Sequence, residues 1–281
     1  MSNDNNNNSE EDENFLFNLS TDSEDENKRT LCEKCRRPLE KACLCSALPK
    51  TKYKLKNCRI IMIQHKLEMK RPMATEPIIR QVIEENDDYH LVVCKVFKKK
   101  KWPRIVSMLE ECPENNFVLY PAKESVRWSV DLDEKTDNIR NPETQPNKPK
   151  INLIIIDGTW RQAQQIYAMS DLLNTYKTCL VSQKQFKKSE YLIRTQPTEN
   201  SLSTLEAVGL ALLYLKEDVE LYEKLLKPLR KMCQIQIEHG SQIHESKQFL
   251  IANGLMEEDK LPQNNNRKKN NIERVGKNLF F

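Results

Sequence analysis

Leu153-Ile154-Ile155-Ile156-Asp157-Gly158-Thr159-Trp160 is the stretch on which the fold turns. Four consecutive apolar residues, three of them β-branched, suit a strand covered on both faces, the usual state of a strand in a parallel sheet. An acid, a glycine and a threonine then break the run, and Trp160 opens a helix through about Met169. Upstream, Arg59 to Gln64 holds a second run of this kind, Ile60-Ile61-Met62-Ile63. Thr75 and Pro77 follow as cap and first-turn residue of a helix carrying Ile78, Ile79, Val82 and Ile83 at helical spacing. Leu91 to Phe97 and Phe117 to Tyr120 read as strands, with Arg104 to Glu111 as a helix between them. Thr178 to Ser182 reads as a further strand and Ser203 to Lys216 as a helix, opened by the capping-box sequence Ser203-Thr204-Leu205-Glu206. Such alternation predicts an α/β fold with a mostly parallel sheet covered by helices.

The chain has 281 residues, 38% hydrophobic and 31% charged, which is ample for a core. No run approaches the roughly 18 apolar residues of a membrane-spanning helix, so no membrane association is expected. The first residues lack the basic and apolar regions of a secretory signal, giving an expected location in the cytoplasm, the nucleus or both. Residues 1–30 are acidic and Asn-rich and are expected to be disordered, as is the Asn- and Lys-rich stretch 256–281. A polar insertion near 133–150 interrupts a main domain over 51–255. Residues 1–30 hold nine acids against Lys28 and Arg29, a local net of −7, so the total of +4 leaves +11 on residues 31–281. A basic body of this kind points to an anionic partner such as nucleic acid.

Within 31–50, Cys32-x2-Cys35 and Cys43-x-Cys45 place four thiols in fourteen positions. Four thiolates complete a closed, structural zinc shell, and this reading outweighs a set of unrelated reduced cysteines. Gln64-His65-x-x-Glu68-x-x-Arg71-x-x-x-Thr75 lies at the carboxyl end of the first buried strand, where open α/β sheets bind ligands. A substrate contact and an ordinary loop with a helix cap both remain open for it. Asp157 and Trp160 combine a carboxylate with an aromatic face at another strand end, suited to a general base beside a ligand or, equally, to a capped helix with Trp160 in the core. A third junction carries Arg194, able to grip a carboxylate or phosphate, ahead of Ser203, Thr204 and Glu206. Lys98 to Lys101 with Trp102 and Arg104, and Lys184, Lys187 and Lys188, are basic clusters able to contact RNA phosphates or simply to face water. Neither a Walker A sequence nor G-x-G-x-x-G is present.

Together the four-cysteine group, Gln64-His65-x-x-Glu68 with Thr75, Asp157-Gly158-Thr159-Trp160, and Arg194 with Ser203-Thr204-Leu205-Glu206-Ala207 resemble the DTW-domain family of tRNA-uridine aminocarboxypropyltransferases. The resemblance spans about residues 31–216, with the motifs in family order; Lys66 stands where the family usually has proline. It implies a SPOUT-like α/β fold with a trefoil knot and S-adenosylmethionine bound at the knotted loops. It also implies transfer of the 3-amino-3-carboxypropyl group to uridine N3 of tRNA. On this view Asp157 is the catalytic residue, and Thr159, Trp160, Arg194, Ser203, Thr204 and Glu206 form the cofactor side. His65, Glu68, Arg71 and Thr75 face the substrate. A SPOUT-type RNA methyltransferase and a noncatalytic zinc-containing RNA-binding protein are the competing expectations.

Overall fold

The computed structural model describes residues 30–85, 87–130, 149–183 and 187–257. The expected tails, nearly all of the 133–150 insertion and Lys184 lie outside the described residues.

A short helix α1 (Leu39–Ala42) precedes the series β1 (Cys58–His65), α2 (Glu76–Val82), β2 (Tyr89–Cys94), α3 (Pro103–Glu111), β3 (Asn116–Leu119) and β4 (Val126–Val130). Then come β5 (Ile151–Asp157), α4 (Trp160–Met169), β6 (Lys177–Gln183), α5 (Thr204–Tyr214), α6 (Val219–Glu238) and α7 (Lys247–Ala252). All six strands pair in parallel, in the order β2-β1-β5-β3-β6-β4.

The two apolar runs become the centre of this sheet because their side chains alternate between two buried faces. Ile60, Met62, Leu153 and Ile155 join one core cluster with residues of α2, α5 and α6. Ile61, Ile63 and Ile154 join the other with residues of α3 and α4. Each fully buried aliphatic side chain contributes about 1.5–3 kcal/mol, so a charge in the apolar middle of β1 or β5 would be costly on either face.

Three differences from the sequence reading have local causes. β2 starts at Tyr89 and ends at Cys94; Phe97 is fully buried beyond it, in the loop before α3. β4 is an edge strand in which only Trp128 and Val130 are buried, with Arg127 facing out, a polar pattern that suits an edge. α6 carries a buried stripe of Leu221, Leu225, Leu226, Leu229, Met232 and Cys233, and its internal Pro228 disguises this helix in the sequence.

Glu217 ties the sheet to α5, accepting hydrogen bonds from the amides of Lys56, Asn57 and Cys58 at 2.9, 2.7 and 3.0 Å. The clamp fixes the start of β1 to the end of α5. The other ends of both elements carry Gln64 and Thr204. Leu44 and Leu48 bring the cysteine-rich segment onto the same core cluster as α5 and α6. Among the described residues no helix is long and apolar enough to cross a membrane.

Candidate functional site

Parallel pairing sends the carboxyl ends of all strands to one edge, and the site forms there. Gln64 and Asp157 are register partners on β1 and β5. Asp157, 4% exposed, accepts from Gln64 Nε2 at 2.9 Å on Oδ2 and from Thr204 Oγ1 at 2.7 Å on Oδ1. Three separate sequence junctions therefore meet at one carboxylate. A carboxylate has about four lone-pair positions, so two bonds leave it acceptor capacity.

Gly158 lets its neighbours approach closely. A Cβ there would lie 3.1 Å from Gln162 Oε1, 3.2 Å from Gln162 Cβ and 3.3 Å from His65 Cβ. Thr159 is occupied as the cap of α4: its Oγ1 accepts from Gln162 N, and Gln162 Oε1 accepts from Thr159 N. Trp160 stacks on Tyr120 at 5.5 Å between ring centroids, and Tyr120 stacks on Tyr167 at 4.2 Å.

Tyr120, Gly158 and Trp160 help wall a cleft enclosing ≈ 870 Å³ of atom-free space, its open mouth included; Asp157 does not line it and is reached from it through its neighbour Thr204. Leu119, Tyr120 and Ile155 reach it from β3 and β5, Gly158 and Trp160 from the next turn, and Arg194, Gln196, Ser203 and Thr204 from the loop into α5. Arg194 makes no side-chain hydrogen bond or ion pair with a described residue, and Gln196 Nε2 is buried with no partner. A cation and an orphan donor in a wall of mixed polar and apolar side chains form a receptor for an anionic, hydrogen-bond-accepting ligand.

Glu206 is used within the scaffold. Its carboxylate accepts from Ser203 N and Ser203 Oγ, from Ser189 Oγ at 2.7 Å and from Glu190 N at 2.6 Å. It pins the 189–206 loop that carries Arg194, while Ser203 and Thr204 reach the cleft wall.

His65, Glu68, Arg71 and Thr75 lie beside the cleft and do not line it. His65 Nδ1 accepts from Leu67 N at 3.3 Å, and burial, reinforced by nearby Lys95, pushes the imidazole pKa down. Glu68 is buried; burial and then the neighbouring Asp157 push its carboxyl above the usual range, against the pull of Arg71 and Arg194. Arg71 Nη1 donates to Glu68 Oε1 at 3.3 Å. Thr75 is buried and precedes α2 without a side-chain capping bond.

The four cysteines converge. Cys32 Sγ lies 3.4 Å from Cys45 Sγ, Cys35 Sγ lies 3.8 Å from Cys43 Sγ, and all four sulfurs fall within 4.8 Å of one another. A tetrahedron with Zn–S bonds of about 2.3 Å has S···S edges of about 3.8 Å, so the set fits zinc. The segment also braces the β1 loop, with Arg37 Nη1 donating to Pro72 O at 3.2 Å and, alongside, Tyr191 OH donating to Met73 O at 2.5 Å.

Sequence reasoning left Gln64 as a motif letter and missed Tyr120 and Gln196 as site residues. Gln196-Pro197 lies between Arg194 and Ser203 in the third junction and Tyr120 precedes a proline at a strand end, so position was a signal for both.

An all-parallel sheet with a polar-studded cleft at its carboxyl edge defines an α/β ligand-binding protein. The chain belongs to the DTW-domain family, whose model, described as "DTW domain", matches residues 29–237. A Drosophila melanogaster protein named tRNA-uridine aminocarboxypropyltransferase 2 is 34% identical over 247 residues, 86% of this chain and 89% of that one. A Macaca fascicularis protein of the same name is 32% identical over 232 residues, covering 83% of this chain and 72% of its own. The Arabidopsis thaliana tRNA-uridine aminocarboxypropyltransferase A is 25% identical over 235 residues, 78% of this chain and 85% of that one. No solved structure matches the chain.

Proposed function

We propose that this protein is a tRNA-uridine aminocarboxypropyltransferase that moves the 3-amino-3-carboxypropyl group of S-adenosylmethionine to uridine N3. The observation that carries the reading is similarity over most of the chain to relatives bearing that name. The cleft suits such a donor: Arg194 for a carboxylate, Gln196 Nε2 for an acceptor atom, and Trp160 with apolar neighbours for a flat ring. When bound, S-adenosylmethionine supplies an electrophilic Cγ whose bond to sulfur breaks as the bond to uridine N3 forms, leaving methylthioadenosine.

The chain's own task is to align that nucleophile and remove its proton. Thr204 lines the cleft, and the N3 proton passes to its Oγ1 as Thr204 hands its own proton to Asp157 Oδ1. Gln64 holds the second oxygen of Asp157, and Glu206 fixes the loop. His65, Glu68, Arg71 and Thr75 flank the uridine side. Cys32, Cys35, Cys43 and Cys45 hold a structural zinc ion, and a trefoil knot of the SPOUT type around the cleft loops accompanies this function. The all-parallel sheet and the convergence of the loops after β3, β5 and β6 support that topology.

Incubation with unmodified tRNA and S-adenosylmethionine labelled in the aminocarboxypropyl carbons should place label in a uridine and release methylthioadenosine. A methylated nucleoside, or none modified across a full tRNA pool, overturns the reading.

Arg194→Ala should raise the S-adenosylmethionine Kd by about 10- to 100-fold, the loss of a charge-assisted pair worth about 1.5–3 kcal/mol. Titration calorimetry of the two proteins measures this, and an unchanged Kd removes Arg194 from the carboxylate.

A further inference from the structure

We infer that the tRNA backbone docks on an arc of lysines formed by Lys66, Lys95, Lys100 and Lys101 at the carboxyl ends of β1 and β2. This rests on the tRNA-modifying reading and adds where on the protein the nucleic acid lies.

His65 and Cys94, the last residues of β1 and β2, are register partners, so the loops that follow them emerge side by side. Lys66 and Lys95 are the first residues of those loops, and both are exposed. Their fields overlap: Lys66 and Lys101 both act on the Cys94 thiol, and Lys95 acts on His65. Lys100 and Lys101 sit in a short 3-10 turn after β2, also exposed. Leu67, 59% exposed, adds an apolar surface beside these charges.

The sequence run Lys98 to Lys101 suggests four equivalent cations, and the structure divides them. Lys98 pairs with Asp171 at 3.0 Å and Lys99 with Glu110 at 3.8 Å. Lys95, Lys100 and Lys101 have no carboxylate within ion-pair distance among the described residues. The other basic cluster differs again, since Lys188 pairs with Glu245 at 3.0 Å and lies over the Phe249 ring.

Charge and position select the occupant. β2 lies two strands from β5, about 10 Å at a strand spacing of about 4.8 Å. At a rise of about 3.4 Å per nucleotide, phosphates a few nucleotides from a uridine at the cleft mouth fall on this arc. An acidic polypeptide would satisfy the charge but has no reason to begin at the cleft.

The test is tRNA binding by fluorescence anisotropy across 50–200 mM salt, without S-adenosylmethionine. The triple variant Lys95→Gln, Lys100→Gln, Lys101→Gln should bind at least about 10-fold more weakly at low salt. Its log–log salt slope should be shallower by about 2–3, at about 0.7–0.9 for each phosphate that is no longer neutralised. The double variant Lys98→Gln, Lys99→Gln should keep the wild-type slope, and kcat at saturating tRNA should be unchanged in both. Full-strength binding by the triple variant of a protein that still labels tRNA overturns the arc and spares the reaction. Displacement of tRNA by polyglutamate of equal charge also overturns it. Wild-type protein that neither binds nor labels tRNA overturns the arc and the reaction together.

Discussion

Asp157→Asn is expected to lower kcat by about 10³-fold, within the range of about 10²–10⁴ for a lost general base, while the protein stays folded. The second half of that expectation comes from the bonding around the carboxylate. Asparagine keeps the shape of aspartate but presents one amide nitrogen. Thr204 Oγ1 already donates to Oδ1, so the retained oxygen stays there and the new NH2 faces Gln64. Gln64 Oε1 is buried with no hydrogen-bond partner, and rotating the Gln64 amide turns this acceptor toward the new donor. The variant therefore conserves both contacts and loses only the negative charge and the ability to take a proton. Comparable melting temperatures and S-adenosylmethionine Kd values, with single-turnover rates about a thousandfold apart, are the expected results. Turnover within tenfold of wild type would remove Asp157 from the proton path. Thr204→Val and Thr204→Ser separate relay from shape: serine keeps the hydroxyl and should retain most activity, whereas valine should not.

The sheet's centre was legible in the sequence because burial on both faces writes itself as an unbroken apolar run. Ile60 to Ile63 and Leu153 to Ile156 admit few other readings. β4 was not legible, since Val126-Arg127-Trp128-Ser129-Val130 lies at the sheet edge with one wet face, and five mixed residues resemble a loop. α6 has a clear apolar period, but Pro228 argues against a helix unless its packing partners in α2 and α5 are known.

For the site, strand ends located the chemistry and could not apportion it. Asp157 and Arg194 stood out as charges following apolar runs. That Asp157 is reached by Gln64 and Thr204, 93 and 47 residues away in the chain, is a property of register and crossover that no local pattern carries. Glu206 illustrates the opposite case. Its capping-box spacing correctly marks a helix start, and the two further bonds, from Ser189 and Glu190, make it a loop anchor whose carboxylate is already committed.

Removing metal from the four-cysteine segment should produce the largest loss of stability. Residues 30–50 have little core of their own: Leu31 and Leu39 are exposed, α1 is one turn, and burial rests mainly on Leu44, Ala47 and Leu48. A structural zinc ion contributes on the order of 10 kcal/mol to a small module, more than the several kcal/mol those side chains supply. Without such an ion the thiols, within 4.8 Å of one another, should move apart, and Arg37 and the Lys34 carbonyl should lose their fixed positions against Pro72 O and Gln81 Nε2. The 66–75 loop, which carries Glu68 and Arg71, should loosen with them. Purified protein should contain about one zinc per chain by elemental analysis. Cys45→Ser should abolish that zinc and lower the melting temperature, with hydrogen exchange rising first in 31–50 and then in 66–75. Cys112→Ser, outside the cluster, should do neither. Protein that contains no metal, or a Cys45→Ser variant with unchanged exchange in both segments, would show that the four thiols fold the segment without an ion. The order of loss matters mechanistically: a metal confined to its own module would leave 66–75 protected, whereas a metal that braces the substrate side of the cleft must release that loop when it leaves.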